Sequence, residues 1–216
     1  MAQGKLSNPL AVAVLACLDE RPMHPYEMAS TLRARNKHES IKLNYGSLYT
    51  VVERLSRQGL IVPQETEREG RRPERTVYAI TDPGKIALEE WLSETLSMPV
   101  KEYTQFEAAL SLMPVLTPEE VGALLEQRRL RLEFEVRQMH LVADMAADQG
   151  LPRLFAIEVE YWLMLREAEL AWVTRLANEI TSGTFDGLAQ WRAFHQQRSE
   201  APGASRSRGE VTAEEG

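Results

Sequence analysis

The stretch Asn44-Tyr45-Gly46-Ser47-Leu48-Tyr49-Thr50-Val51-Val52-Glu53-Arg54-Leu55-Ser56-Arg57-Gln58-Gly59 decides how the chain is read. Asn44 suits an N-cap, because its side-chain carbonyl can accept from the unpaired amides of a first helical turn. Gly59 suits the position just past a helix end. Between them Leu48, Val51, Val52 and Leu55 follow i, i+3, i+4, i+7 spacing and predict one buried stripe. The opposite face carries Gly46, Thr50, Glu53 and Arg57, flanked by Tyr49 and Arg54. Its first turn lacks bulk, so its amides and positive dipole end could approach a phosphate closely. From this helix alone an ordinary amphipathic surface helix is the simpler reading. The sharper one is a helix that enters a DNA major groove.

The rest of the chain bears on that choice. At 216 residues it suggests one large domain or two small ones, and 44% apolar with 26% charged residues marks a soluble globular class. No apolar run approaches the ~18–20 residues that span a bilayer. The N-terminus lacks signal-peptide character, so a cytoplasmic location and no membrane partner are expected. The lone Cys17 sits in an apolar run and reads as a small core residue. A net charge of −7 looks wrong for a nucleic-acid binder, but it is unevenly spread. Residues 21–75 hold 11 Lys/Arg against 7 Asp/Glu, whereas residues 99–216 hold 12 against 19. A local basic face therefore remains available, and two functional halves follow.

In chain order, Pro9 opens an apolar helix to about Asp19 or Glu20, and Arg21-Pro22-Met23 breaks it. His24-Pro25-Tyr26-Glu27 starts a second helix, with Glu27 placed to reach back to the cap amide. After Gly59 the pattern turns to short β-type runs, Leu60-Ile61-Val62 and Thr76-Val77-Tyr78-Ala79-Ile80. The polar segment between them contains Arg71, Arg72 and Arg75. Three helices followed by a hairpin with a basic tip is the order of a winged helix-turn-helix. Thr81-Asp82-Pro83-Gly84 then starts a helix to about Ser97.

Met98-Pro99-Val100 is the expected boundary, giving a DNA-binding domain over residues 1–98 and a helical dimerisation and effector domain over 99–198. Ser199–Gly216, polar and almost without large apolar residues, reads as a disordered tail. Within the second domain one segment stops near Pro114, and Thr117-Pro118-Glu119-Glu120 marks a clear helix start running to about Gln149. Leu132, Val136, Met139 and Ala143 repeat along it at 4-3-4 spacing. Tyr161, Leu165, Ala168 and Trp172 repeat the same way along a helix expected over about Arg153–Thr181. Such seams favour antiparallel helix packing or pairing between subunits. A short amphipathic helix around Leu188, Trp191 and Phe194 follows.

The chain resembles the PadR-type transcriptional regulators, bacterial winged-helix repressors that often respond to phenolic or other aromatic compounds. The resemblance rests on His24-Pro25-Tyr26-Glu27, Gly46-Ser47-Leu48-Tyr49, Arg54-Leu55, Gly59-Leu60-Ile61, Gly70-Arg71-Arg72-Pro73, Tyr78-Ala79-Ile80-Thr81 with Gly84, and Trp91-Leu92. Each piece is weak alone, but the ordered set, over roughly residues 9–97, is specific and reverses the preference for a plain surface helix. Three departures stand out. Pro25 replaces the family's usual Gly and stiffens a helix start; Asn44 replaces Ser and preserves capping; Thr50 replaces Pro and restores a backbone donor. The all-helical second half resembles the longer-tailed members, whose C-terminal domain mediates dimerisation.

The expected fold is therefore mainly α, a winged helix-turn-helix with a small β-hairpin wing plus an all-α C-terminal dimerisation domain. The expected DNA contacts are Lys42, Asn44, Tyr45, Gly46, Ser47, Tyr49, Thr50, Arg54 and Arg57 on the helix, with Arg71, Arg72 and Arg75 on the wing. Glu53 either accepts from cytosine or pairs with Arg57. Dimerisation is assigned to Leu132, Val136, Met139, Tyr161, Leu165 and Trp172. An aromatic effector, which flat-sided residues suit, is assigned to Trp91 and Trp162. The function expected is sequence-specific binding of double-stranded DNA as a homodimeric repressor on a pseudo-palindromic operator, with a small aromatic effector releasing it. The alternative is a winged-helix protein-interaction module without DNA binding. His24, His38, His140 and His195 are isolated from other ligand-type residues, and no nucleophile elbow or phosphate loop occurs. No catalytic, metal or cofactor site, and hence no enzyme, is expected.

Overall fold

The computed structural model describes residue 6, residues 8–64 and residues 76–200 of the chain. These fall into two compact units, Met1–Glu102 and Tyr103–Gly216.

In the first unit, α1 (Pro9–Glu20) is capped by Asn8, whose side chain accepts from the Leu10 amide, and opens with Pro at the first turn. Helix α2 (Pro25–Ala34) has a capping box in which His24 Nδ1 accepts from the Tyr26 amide at 3.1 Å. Glu27 Oε2 accepts from the His24 amide, also at 3.1 Å. Helix α3 (Tyr45–Arg57) buries Leu48, Val51, Val52 and Leu55, the stripe predicted from spacing. These side chains join Leu15, Met23, Met28 and Ile61 in one core. Burying a large aliphatic side chain contributes about 1.5–3 kcal/mol. Cys17 lies in the same core, and burial, reinforced by Glu20, pushes its thiol up to about 11. It stays protonated and unreactive at neutral pH.

Strands β1 (Ile61–Gln64) and β2 (Val77–Ile80) pair antiparallel, with Ile61 opposite Ile80 and Pro63 opposite Tyr78. The break at Arg21-Pro22-Met23 does more than end α1. Met23 exchanges both backbone hydrogen bonds with Tyr78, each at 3.0 Å, and so adds a one-residue bridge to the far side of β2.

The end of α3 is a Schellman motif. Gly59 takes φ +72°, its amide donates to Ser56, and the Leu60 amide donates back to Leu55 at 3.0 Å. The Leu60 carbonyl then accepts from the Thr81 amide at 3.1 Å, and the Thr81 hydroxyl donates to the Gly59 carbonyl at 2.8 Å. Thr81 also caps α4 (Asp82–Ser97), accepting from the Gly84 amide. Gly84 has no room for a side chain: a Cβ there would stand 2.1 Å from the Leu60 carbonyl oxygen.

In the second unit, α5 (Gln105–Leu112) runs into a 3-10 turn at Met113–Val115. Helix α6 (Pro118–Asp148) starts at a capping box of Thr117 and Glu120, where the sequence placed it. Helix α7 (Ile157–Ser182) packs antiparallel to it, and α8 (Leu188–Glu200) closes one end. The core gathers Val121, Leu125 and Leu132 of α6, Val173, Leu176, Ala177 and Ile180 of α7, and Leu188 and Trp191 of α8. The Trp191 indole donates to the Leu116 carbonyl at 2.8 Å, while Phe194 points outward.

Two expectations change here. The expected start of α7 at Arg153 is instead a separate 3-10 turn, Arg153–Phe155, after Pro152. The side of α7 packed within the chain is the set Val173, Leu176, Ala177 and Ile180, whereas Tyr161, Leu165, Ala168 and Trp172 stay exposed. The 4-3-4 seam read from α7 is therefore not the stripe buried in the core, although Trp172 at its end meets the Phe106 ring edge-on with centroids 6.2 Å apart. Spacing reveals a stripe but not which stripe a neighbour covers.

Replacing Gly84 with Ala should lower the stability of the first unit by about 1–3 kcal/mol, the usual cost of forcing extra volume into a close approach. Urea unfolding followed on the intact protein measures it, and an unchanged midpoint would mean that the Leu60 contact gives way freely.

Candidate nucleic-acid interface

The exposed side of α3 is built by its own capping. Asn44 Oδ1 accepts from the Gly46 amide at 2.9 Å, which fixes the first turn with Gly46 and Ser47 facing out. A cap of this kind contributes about 0.5–2 kcal/mol. Tyr49, Thr50, Glu53, Arg54 and Arg57 follow on the same exposed side, and Lys42 stands exposed just before the cap. All nine residues assigned to this helix and its lead-in are thus solvent-accessible and brought together on one surface. Glu53 and Arg57 form no ion pair among the described residues, so that alternative for Glu53 falls away. The Thr50 hydroxyl donates to the Gly46 carbonyl at 3.1 Å. Its donor capacity is used locally, and its methyl group and lone pairs are what it can offer to a partner.

Two other arginines of this unit are already neutralised. Arg35 makes a bidentate pair with Glu20, and Arg21 lies 3.5 Å from Glu27. The Arg35 guanidinium holds the Glu20 carboxyl below its ordinary range. Arg54 and Arg57 have no such carboxylate among the described residues. Arg71, Arg72 and Arg75 lie outside the described residues, although β1 and β2 lead directly to that segment.

Sequence reasoning missed a cluster at the start of α3. Tyr45 stacks on Tyr26 with ring centroids 6.4 Å apart and planes 14° from parallel. Arg33 lies 4.3 Å over the Tyr45 ring and donates to its hydroxyl at 2.7 Å.

The two tryptophans assigned to an effector belong to different units. Trp91 is half-buried against the core of the first unit, and Trp162 lies beneath Arg166, 5.1 Å from its guanidinium. The second unit instead has an open cleft of about 450 Å³ lined by Phe106, Leu110, Met113, Leu125, Arg128 and Arg131, among others. Arg128 lies 3.6 Å over the Phe106 ring and is held by Glu169, which also accepts from Arg166. Of the residues assigned to dimerisation, Leu132 and Val136 are buried within the chain itself, and Met139 is half-buried. Tyr161 and Leu165 are exposed, and Trp172 is partly so. Among the described residues no helix is long and apolar enough to cross a membrane, and no three His, Cys, Asp or Glu gather as metal ligands.

Residues 14–90 match the model of the transcriptional regulator PadR-like family. These residues form a PadR-like domain. The PadR-like domain takes in α1 from its second turn, α2, α3, the hairpin and the first half of α4. Solved structures extend the likeness of fold to both units. Bacillus subtilis PadR in complex with operator DNA aligns with a TM-score of 0.63 at 18% identity, covering 80% of this chain and 99% of that one. Bacillus subtilis PadR in complex with p-coumaric acid gives 0.62 at 16%, covering 80% and 98%. The Vibrio cholerae virulence activator AphA gives 0.61 at 20%, again covering 80% and 98%. No curated protein sequence matches the chain. At these identities the shared property is the winged-helix fold with a helical C-terminal region after the PadR-like domain.

Proposed function

We propose that this protein is a sequence-specific DNA-binding repressor that acts as a homodimer and is released by a small aromatic effector. The observation that carries the reading is the α3 surface: a capped first turn without bulk, followed by exposed Tyr49, Thr50, Arg54 and Arg57 that no carboxylate neutralises among the described residues. A helix presented this way fits a major groove, with arginine available for guanine or phosphate. Arg71, Arg72 and Arg75 belong to the segment between β1 and β2, which in a winged helix-turn-helix is the part that reaches the backbone or minor groove. The operator complex of the related Bacillus subtilis protein supports the same mode.

A second copy supplies the second recognition helix. Exposed Phe134, Leu141, Met145, Tyr161, Met164 and Leu165 leave large apolar side chains of α6 and α7 in water, which pairing would cover. Two α3 helices one DNA turn apart, about 34–36 Å, read a roughly palindromic site. The effector fits the cleft at Phe106 and Arg128 better than it fits Trp91 or Trp162, because that cleft joins apolar walls to cationic groups. An effector acts only if its affinity differs between DNA-competent and released forms.

Selection from random duplexes followed by sequencing tests the whole reading, since an enriched motif gives both specificity and half-site spacing. A pool with no enrichment favours a winged-helix protein-interaction module instead. On the selected duplex, Arg71→Ala with Arg72→Ala should weaken binding to every sequence and reduce the salt slope by about two contacts' worth; an unchanged slope removes the wing from the interface. Tyr161→Glu with Leu165→Glu should halve the mass seen by sedimentation, and a persistent dimer would place the interface elsewhere. Adding phenolic acids such as p-coumaric acid should lower duplex affinity, and unchanged affinity across them would end the effector assignment for that class.

A further inference from the structure

Among the described residues of the first unit, two arginines are spent on carboxylates and a third is held in another way. Arg21 and Arg35 are paired with Glu27 and Glu20. Arg33, between them on α2, is instead held by an aromatic residue of α3: its guanidinium lies 4.3 Å over the Tyr45 ring and donates to the Tyr45 hydroxyl at 2.7 Å. Tyr45 is itself braced by stacking on Tyr26. A cation held by a π face and a phenol oxygen keeps its full charge, and a guanidinium with one N–H committed retains four donors. The phenol that accepts from Arg33 still has its own O–H to give, and the adjacent positive charge makes that proton a stronger donor. Arg33 and Tyr45 are both exposed, and Tyr45 is the first residue of α3.

We infer that Arg33 and Tyr45 together grip a single DNA backbone phosphate, with Tyr45 serving as the positioning residue for Arg33 rather than as a base reader. This rests on the DNA-binding reading and deepens it, adding a residue outside α3 and the wing. A phosphate offers several acceptor lone pairs and one negative charge, which suits an arginine fork and a phenol hydroxyl directed from one side. The stack on Tyr26 holds both groups before DNA arrives, so little side-chain entropy is lost on contact. Arg21 and Arg35, on either side of α2, are spent on carboxylates, whereas Arg33 within α2 meets no carboxylate among the described residues.

The test uses the full chain and the duplex enriched by selection, with affinity measured across a salt series for wild type, Arg33→Ala, Arg33→Lys, Tyr45→Phe and the double variant Arg33→Ala with Tyr45→Phe. Arg33→Ala should weaken binding roughly ten- to a hundredfold, as loss of a charge-assisted contact does, and should reduce the salt slope by about 0.9. Arg33→Lys keeps the charge without the fork and should retain the slope while losing affinity. Tyr45→Phe should cost less, and the double variant should bind about as Arg33→Ala does. A scrambled duplex should lose affinity in the same proportion, because a phosphate grip carries no sequence information. An Arg33→Ala slope equal to wild type, in a variant whose thermal melt is unchanged, overturns the inference; Arg33→Gln repeats that measurement should the alanine variant melt early. Losses that simply add in the double variant overturn Tyr45 as the positioning residue. If wild type binds no duplex, the DNA-binding reading fails first and is recognised by that result alone.

Discussion

The position of α3 depends on one residue, Leu60, whose main chain is used three ways. Its amide closes the helix by donating to Leu55, its carbonyl accepts from Thr81, and that same oxygen lies where a Gly84 side chain would have to go. The end of the helix, the root of the hairpin and the start of α4 are thereby tied at one point. Gly59 supplies the left-handed turn that lets the chain reverse there. The bridge between Met23 and Tyr78 ties the chain between α1 and α2 to the same hairpin from its other side. A rigid base of this kind is what allows an exposed helix face to present its side chains in a fixed array.

The second unit is held differently. Its core occupies the part of the α6–α7 pair near α8, ending around Leu132 and Leu170. Beyond that point charged groups link the two helices: Arg166 lies 3.6 Å from Glu135, and His140 lies 2.8 Å from Glu167. Helices of 31 and 26 residues reach roughly 46 and 39 Å at 1.5 Å per residue. Half-exposed pairs contribute little on their own. Large apolar residues on the far part, such as Phe155 and Tyr161, therefore face water without a core behind them.

Features encoded locally were legible in the sequence. Asn44, Thr81 and Thr117 all cap the helices they were expected to cap, because a cap is a chemical relation over two or three residues. The buried stripe of α3 was legible because its apolar residues keep to one side of the helix. What escaped were relations between distant residues. Nothing at Arg21-Pro22-Met23 signals a partner at Tyr78, and nothing near Arg33 signals Tyr45. On α7 two overlapping apolar stripes compete, and only the neighbouring helices decide which is buried. Counting charge over residues 21–75 was a weaker guide than it looked, since Arg35 is cancelled by a Glu20 that lies outside that window. The cleft at Phe106 and Arg128 joins α5, α6 and α7, so no single stretch of sequence displays it.

Pro63 has a consequence for how copies of this protein can meet. Tyr78 turns both its amide and its carbonyl toward Met23, so Pro63, directly opposite it on β1, has its backbone nitrogen and oxygen directed away from β2. Among the described residues no further strand pairs with that side of β1, where an ordinary residue would offer an amide to any passing strand. Proline has none to offer. That side lacks a donor at its middle, and strand-by-strand growth of the sheet from one molecule into the next is blocked there at no cost to the hairpin itself.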